Sequence, residues 1–237
     1  MPARARDPSG VFRNLRAIRQ WRPGPRLIRP AVAAFSLLIL ASALFYSGGH
    51  NLDPQAGLFH PVHNFLCDLF MPLNSYNGRP NTASAALGIT AGMMLVTGGF
   101  LPAWVSAAPR LCRDALAPRV ITAAGTIALG AMMLVPFEKL LVLPVAHYLL
   151  LLCAAVPAWI ATSGVALCSL RHPGVGPRAR ALGLTVLLSV PAIFACYLPY
   201  AFAGDPTPPS VALGQKLVLF AVLAWLWALA GSPALRD

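Results

Sequence analysis

Two histidines, an aspartate, a cysteine and four asparagines gather in one stretch of the chain, 58–83, which reads LFHPVHNFLCDLFMPLNSYNGRPNTA. His60 and His63 stand three apart, so on a helix they share a face, and His60, Asn64 and Asp68 follow at i, i+4 and i+8 along another edge. Adding His147 gives three imidazoles and a carboxylate. That donor set can hold zinc with one position open, where the metal activates a water; without metal, a histidine there acts as a general base. The spacing carries no HExxH-type signature, and Pro61 interrupts the local helix. The competing expectation is that His and Asp make hydrogen bonds that hold this stretch on the rest of the chain.

The elements that must position these groups are apolar. Of 237 residues, 57% are hydrophobic and 11% charged, where a soluble domain carries about a quarter charged residues. The composition is that of an integral membrane protein, so the stretch lies close to hydrocarbon, where polar groups are costly and mark function by default. The formal charge of +11 does not point to nucleic acid. Eight of the eighteen Lys and Arg residues precede residue 30, and the others lie mainly in short loops between apolar runs. That distribution is a topology signal.

Six runs are long enough to span: 31–47, 83–104, 119–137, 143–167, 181–202 and 211–230. With residues 1–30 and 231–237 inside, fifteen Lys and Arg fall on the inner side and three on the outer: Arg79, Lys139 and Lys216. The expected fold is therefore an all-α polytopic bundle of six spans in the cell membrane, N-in and C-in. The segment 58–73 is too short and too polar for a seventh span. It reads as an outer-face re-entrant or interfacial helix, or a loop packed on the bundle. Residues 1–30 form a basic segment, either lying on an anionic leaflet or serving as a disordered topology anchor. A rival for the first run is a signal peptide, since Ala41-Ser42-Ala43 resembles a small-residue cleavage site. Gly88 and Gly92 form a GxxxG that permits close helix approach. The five cysteines have no paired spacing, and no disulfide framework is expected.

Most ionisable groups other than arginine fall on the outer side: His50, Asp53, His60, His63, Asp68, Glu138, Lys139, His147, Asp205 and Lys216. A pocket, if present, opens outward, with Asn64, Asn81, Arg79 and Lys216 as its ligand-binding side chains. Lys216 has three readings: snorkelling to the surface, an ion pair with Glu138 or Asp68, or contact with a lipid phosphate.

Three features resemble the DUF998 and Frag1/DRAM-like group of six-helix membrane proteins: Asn-Phe-Leu-Cys-Asp-Leu at 64–69, a Gly-rich third helix ending in Val-Pro-Phe-Glu at 135–138, and His147 opening the fourth helix. The resemblance covers about 31–230. It departs from the group's pattern at Cys67, where the group usually has Ser, and at Glu138, where it often has Asp. By this resemblance Asp68, Glu138 and His147 are the catalytic or functional positions carried over, and one branch of the group is associated with remodelling of lipid-anchored proteins. The alkaline ceramidase and adiponectin-receptor hydrolases are less similar, having seven helices and a HxxxH absent here.

Three functions compete. The first is a non-enzymatic protein whose outer polar pocket binds a lipid or a partner, either another membrane protein or a second copy. The second is a membrane-embedded hydrolase or lipid-remodelling enzyme, metal-dependent if zinc binds. The third is a small secondary transporter, disfavoured because no inverted repeat is evident.

Overall fold

Backbone groups in hydrocarbon must be satisfied within their own segment, which an α-helix achieves. In the computed structural model, which describes residues 24–134, 146–203 and 208–236, each of the six apolar runs contains a helix. Helix α1 is Ile28–Leu44, entered through a 3₁₀ turn at Pro25–Leu27. Helix α2 begins at Thr82–Met94 and runs on through two π-helical segments, Leu95–Phe100 and Ala103–Ala107, to Leu111. Then follow α3 (Leu116–Leu134), α4 (Ala146–Arg171), α5 (Pro177–Ala203) and α6 (Pro209–Ala230). Each of the six is long and apolar enough to cross a membrane. Among the described residues there is no strand.

Several boundaries differ from the sequence expectation by a few residues, and two of them have a local cause. The first helix ends at Leu44 because Gly48 and Gly49 adopt φ of +82° and +87° and turn the chain back. The second continues past 104 because wider π turns flank Pro102, which has no N–H to give a regular helix. Pro157, Pro191 and Pro199 lie within continuous helices. The end of the third run, with Glu138 and Lys139, lies outside the described residues.

Successive helices pair, α1 with α2, α3 with α4, α4 with α5 and α5 with α6, and α6 returns to α1. The last turns of α2 fill the space between α3 and α4. The buried apolar core lies mostly toward the end of the bundle where the arginine loops are. Trp104, Trp225, Leu226 and Leu229 are at most 1% exposed there, with Ile28, Val165 and Leu111 around them. Lipid supplies no hydrophobic drive between helices, so close fit must hold them. A Cβ on Gly125 would lie 2.4 Å from the Trp104 ring.

At the opposite end, residues 45–81 form a cap on α1, α2 and α6. The segment 58–73 contains one short 3₁₀ helix, Leu66–Phe70, which packs on α2 and α6. The Gly88–Gly92 motif seats this helix. A Cβ at Gly88 would meet the Leu69 carbonyl oxygen at 2.6 Å, and one at Gly92 the Phe70 ring at 3.2 Å. Gly88→Val is expected to cost about 1–3 kcal/mol by pushing the 3₁₀ helix off its seat. Gly130→Ala meets nothing within 4 Å and is expected to be neutral or slightly stabilising. Thermal unfolding of both variants in micelles checks this, and equal melting temperatures would count against the seat.

The cysteine expectation is corrected. Cys112, just past α2, and Cys168, near the end of α4, are joined in a disulfide across 56 positions. Helix packing rather than local spacing brings them together, so no sequence pattern marks the pair.

Candidate functional site

The cap is built from asparagines. Asn64 is fully buried; its Oδ1 accepts from His60 N at 2.8 Å, and its Nδ2 donates to Gly49 O at 2.8 Å, Asp68 Oδ2 at 3.1 Å and Tyr46 Oη at 3.2 Å. Asn74 Nδ2 donates to Gly48 O and to Ser47 Oγ, while its Oδ1 accepts from Tyr76 N at 2.9 Å. Asn81 Oδ1 accepts from Ser47 N at 3.1 Å, and its Nδ2 donates to Asp68 O and Met71 O. An irregular segment leaves its backbone groups without helical partners, and these amides supply them. The turn they stabilise demands glycine: a Cβ on Gly48 would lie 2.1 Å from Ala56 O. At the foot of the cap Ser42 Oγ donates to Ser84 O at 2.8 Å, tying α1 to α2 within the Ala41-Ser42-Ala43 triplet.

Asp68 is 8% exposed, and its Oδ2 accepts from Phe65 N at 2.8 Å as well as from Asn64. The Tyr76 hydroxyl donates to the same carboxylate at 3.4 Å. Burial raises the Asp68 carboxyl above the ordinary carboxylate value, against the lowering effect of these donors and of Lys216. The charge of Asp68 adds to burial in raising the Tyr46 and Tyr76 phenols.

Lys216, on α6, is buried to 9% exposure and does not reach the surface. Its Nζ donates to the carbonyl oxygens of Asn64 and, at 2.9 Å, Ala212, and it lies 5.7 Å over the Phe59 ring. The adjacent Gln215 Oε1 accepts from Leu66 N at 2.9 Å. Two neighbouring side chains of α6 therefore grip the cap by its backbone. Arg79 is exposed, and its Nη2 donates to Gln55 Oε1 at 3.4 Å.

The histidines assemble differently from the expected set. His50 joins His60 and His63, with ring centroids 4.7 Å apart for His50–His63, 4.3 Å for His60–His63 and 5.6 Å for His50–His60. His60 and His63 share no helix face, since Pro61 starts a turn; His63 N and Asn64 N both donate to His60 O. His50 is a residue the helical pattern could not place, because only the Gly48–Gly49 reversal brings it over the other two. The side chain of His147 and all of Glu138 lie outside the described residues.

The ring contacts of His50, His60 and His63 bear on the zinc expectation. His50 Nδ1 accepts from Leu52 N at 3.3 Å and Asp53 N at 3.2 Å, and His60 Nδ1 accepts from Val62 N at 3.3 Å. A neutral imidazole with its Nδ1 lone pair so used carries its proton on Nε2, which is then a donor and not a ligand. The His50 and His63 planes are 22° apart and stacked, so their in-plane lone pairs do not converge on one point. Asp68 faces Asn64, Phe65 and Tyr76 instead. Among the described residues no group of three or more His, Cys, Asp or Glu is arranged to hold a metal, and the side chain of His147, the fourth member of the expected set, lies outside them.

His63 Nδ1 is buried without a hydrogen-bond partner. Burial, then the neighbouring His60 and His50, lowers its pKa below the ordinary histidine value. A lowered histidine contributes stability that is complete above the unfolded value of about 6.5 and is lost as pH falls through the folded value. Acidification below about pH 6.5 is therefore expected to loosen the cap, read as faster proteolysis within 45–81, and His63→Phe is expected to flatten that pH dependence. A pH profile unchanged by His63→Phe would remove this role.

The chain matches no known family model, and no curated protein or solved structure was found to be similar to it.

Proposed function

We propose that the protein is a multi-pass membrane protein, with both termini on the cytoplasmic side, that binds a lipid head group at its outward-facing cap without transforming it. The carrying observation is the set of backbone N–H groups that donate to Nδ1 of His50 and His60. With Nδ1 of His50 and His60 committed to backbone N–H groups, the neutral rings carry their proton on Nε2; His60 is exposed and offers that donor outward, while His50 lies buried beneath the surface of the cluster. A phosphate oxygen accepts such donors.

The surroundings favour an amphiphile over a soluble anion. Leu52, Leu58 and Val62, next to these histidines in the chain, are 61%, 69% and 36% exposed. Polar donors rimmed by apolar side chains suit the boundary between head groups and acyl chains. The reading agrees with the DUF998 and Frag1/DRAM-like resemblance in architecture, and it uses Asp68 as a support of the cap.

Photo-crosslinking in nanodiscs tests it, using phosphatidylcholine with a diazirine beside the glycerol. Label is expected in peptides from 50–63, reduced at least threefold by His60→Ala. Label confined to the helices, or indifferent to His60, would sink the proposal.

A further inference from the structure

At the other end of the bundle a cavity of about 530 Å³ opens between the starts of α1 and α5 and the end of α6. Its volume falls in the range of small-ligand sites. Two arginines line it, Arg29 and Arg178, and none of its lining residues is acidic.

Arg29 is held in place. Its Nε donates to Trp227 O at 3.3 Å, its guanidinium lies 5.3 Å over the Trp227 ring, and Gly231 leaves the room it occupies, since a Cβ there would meet Nη2 at 2.1 Å. That arrangement commits one edge of the fork and, among the described residues, leaves both Nη groups without a hydrogen-bond partner. Arg178 is exposed and has no hydrogen bond or ion pair among the described residues. The backbone at Arg178 and Ala179 belongs to the first turn of a 27-residue helix without an acidic residue, so its N–H groups add to the positive field. Ala224, Ala228 and Trp227 make the remaining wall apolar.

We propose that this cavity binds a phosphate-bearing anion, held between the Arg29 and Arg178 guanidinium groups. Planar guanidinium forks match phosphate oxygens in pairs. Two sources have that chemistry, the head group of an anionic phospholipid and free phosphate. The apolar wall beside Trp227 gives the lipid a place for its glycerol and first methylenes. The site is separate from the cap in position and in residues.

The test uses delipidated full-length protein in maltoside micelles, titrated with dihexanoyl phosphatidylglycerol, dihexanoyl phosphatidylcholine and inorganic phosphate, with thermal stabilisation as readout. Phosphatidylglycerol is expected to bind more tightly than phosphatidylcholine, and Arg178→Gln to weaken it about tenfold, the loss of one charge-assisted contact. Arg178→Gln should leave the ligand-free melting temperature unchanged, because the side chain holds nothing else. Arg29→Lys keeps the charge and loses the fork, so it should weaken binding too. His60→Ala should leave this binding intact. Stabilisation by inorganic phosphate that depends on Arg178 and competes with the lipid would assign the site to free phosphate. Equal binding of both lipids, with no dependence on Arg178 and no effect of phosphate, would overturn the proposal.

Discussion

Replacing Asn64 with alanine is expected to lower stability by about 3 kcal/mol, the largest effect of any single side chain in the cap. The amide makes four hydrogen bonds at 0% exposure. Some partners keep a second bond, since Gly49 O still accepts from Tyr46 Oη and Asp68 Oδ2 still accepts from Phe65 N. His60 N loses the acceptor it has, and a buried group left unpaired costs about 1–3 kcal/mol. Asp68→Asn is the informative contrast. One amide oxygen can accept from both Phe65 N and Asn64 Nδ2, and the new amide N–H groups can turn to Tyr76. This change is expected to cost under about 1 kcal/mol. It also removes a pH dependence whose sign is fixed: a carboxyl raised by burial favours the fold most below its unfolded value, and that preference is lost as pH rises through the folded value. Melting temperatures of both variants across pH check these values. An Asn64→Ala protein as stable as wild type would remove the asparagine scaffold from the account.

The six spans were legible because hydropathy over about twenty residues reports directly on what a bilayer demands of backbone. The location of the polar cluster was legible for the same reason, since Asn64, Asp68 and Asn81 stand out against apolar neighbours. Their geometry was not. Helical spacing placed His60, Asn64 and Asp68 on one edge, whereas a turn after Pro61 and a 3₁₀ helix bring Asn64 and Asp68 together by another path. His50 entered the cluster through two glycines with positive φ, a long-range effect of a local conformation. Lys216 shows the limit on depth as well. Its position in the first two turns of α6 left snorkelling, an ion pair and lipid contact open, and it reaches the Asn64 carbonyl because the cap covers that end of the helix.

Reducing the Cys112–Cys168 bond is expected to have the second large effect, roughly 2 kcal/mol. The loop-closure account gives about 4 kcal/mol for a separation of 56 residues in a fully unfolded chain. Helices that persist in a bilayer or micelle when their packing is lost leave less chain entropy for the bond to remove, which brings the value to the low end of the usual range. The bond ties the end of α2 to the end of α4, beside the core formed by Trp104, Leu111 and Val165. Reductant should therefore lower the melting temperature of wild type and leave Cys112→Ser unaffected. The same pair reports on topology. Under the proposed orientation both cysteines face the cytoplasm, a compartment that keeps thiols reduced. Maleimide labelling of intact cells quenched before lysis should then find Cys112 and Cys168 as thiols, and purification in air should close them. If the bond is already formed in the quenched cells, the arginine-rich end faces an oxidising compartment and the proposed orientation is reversed.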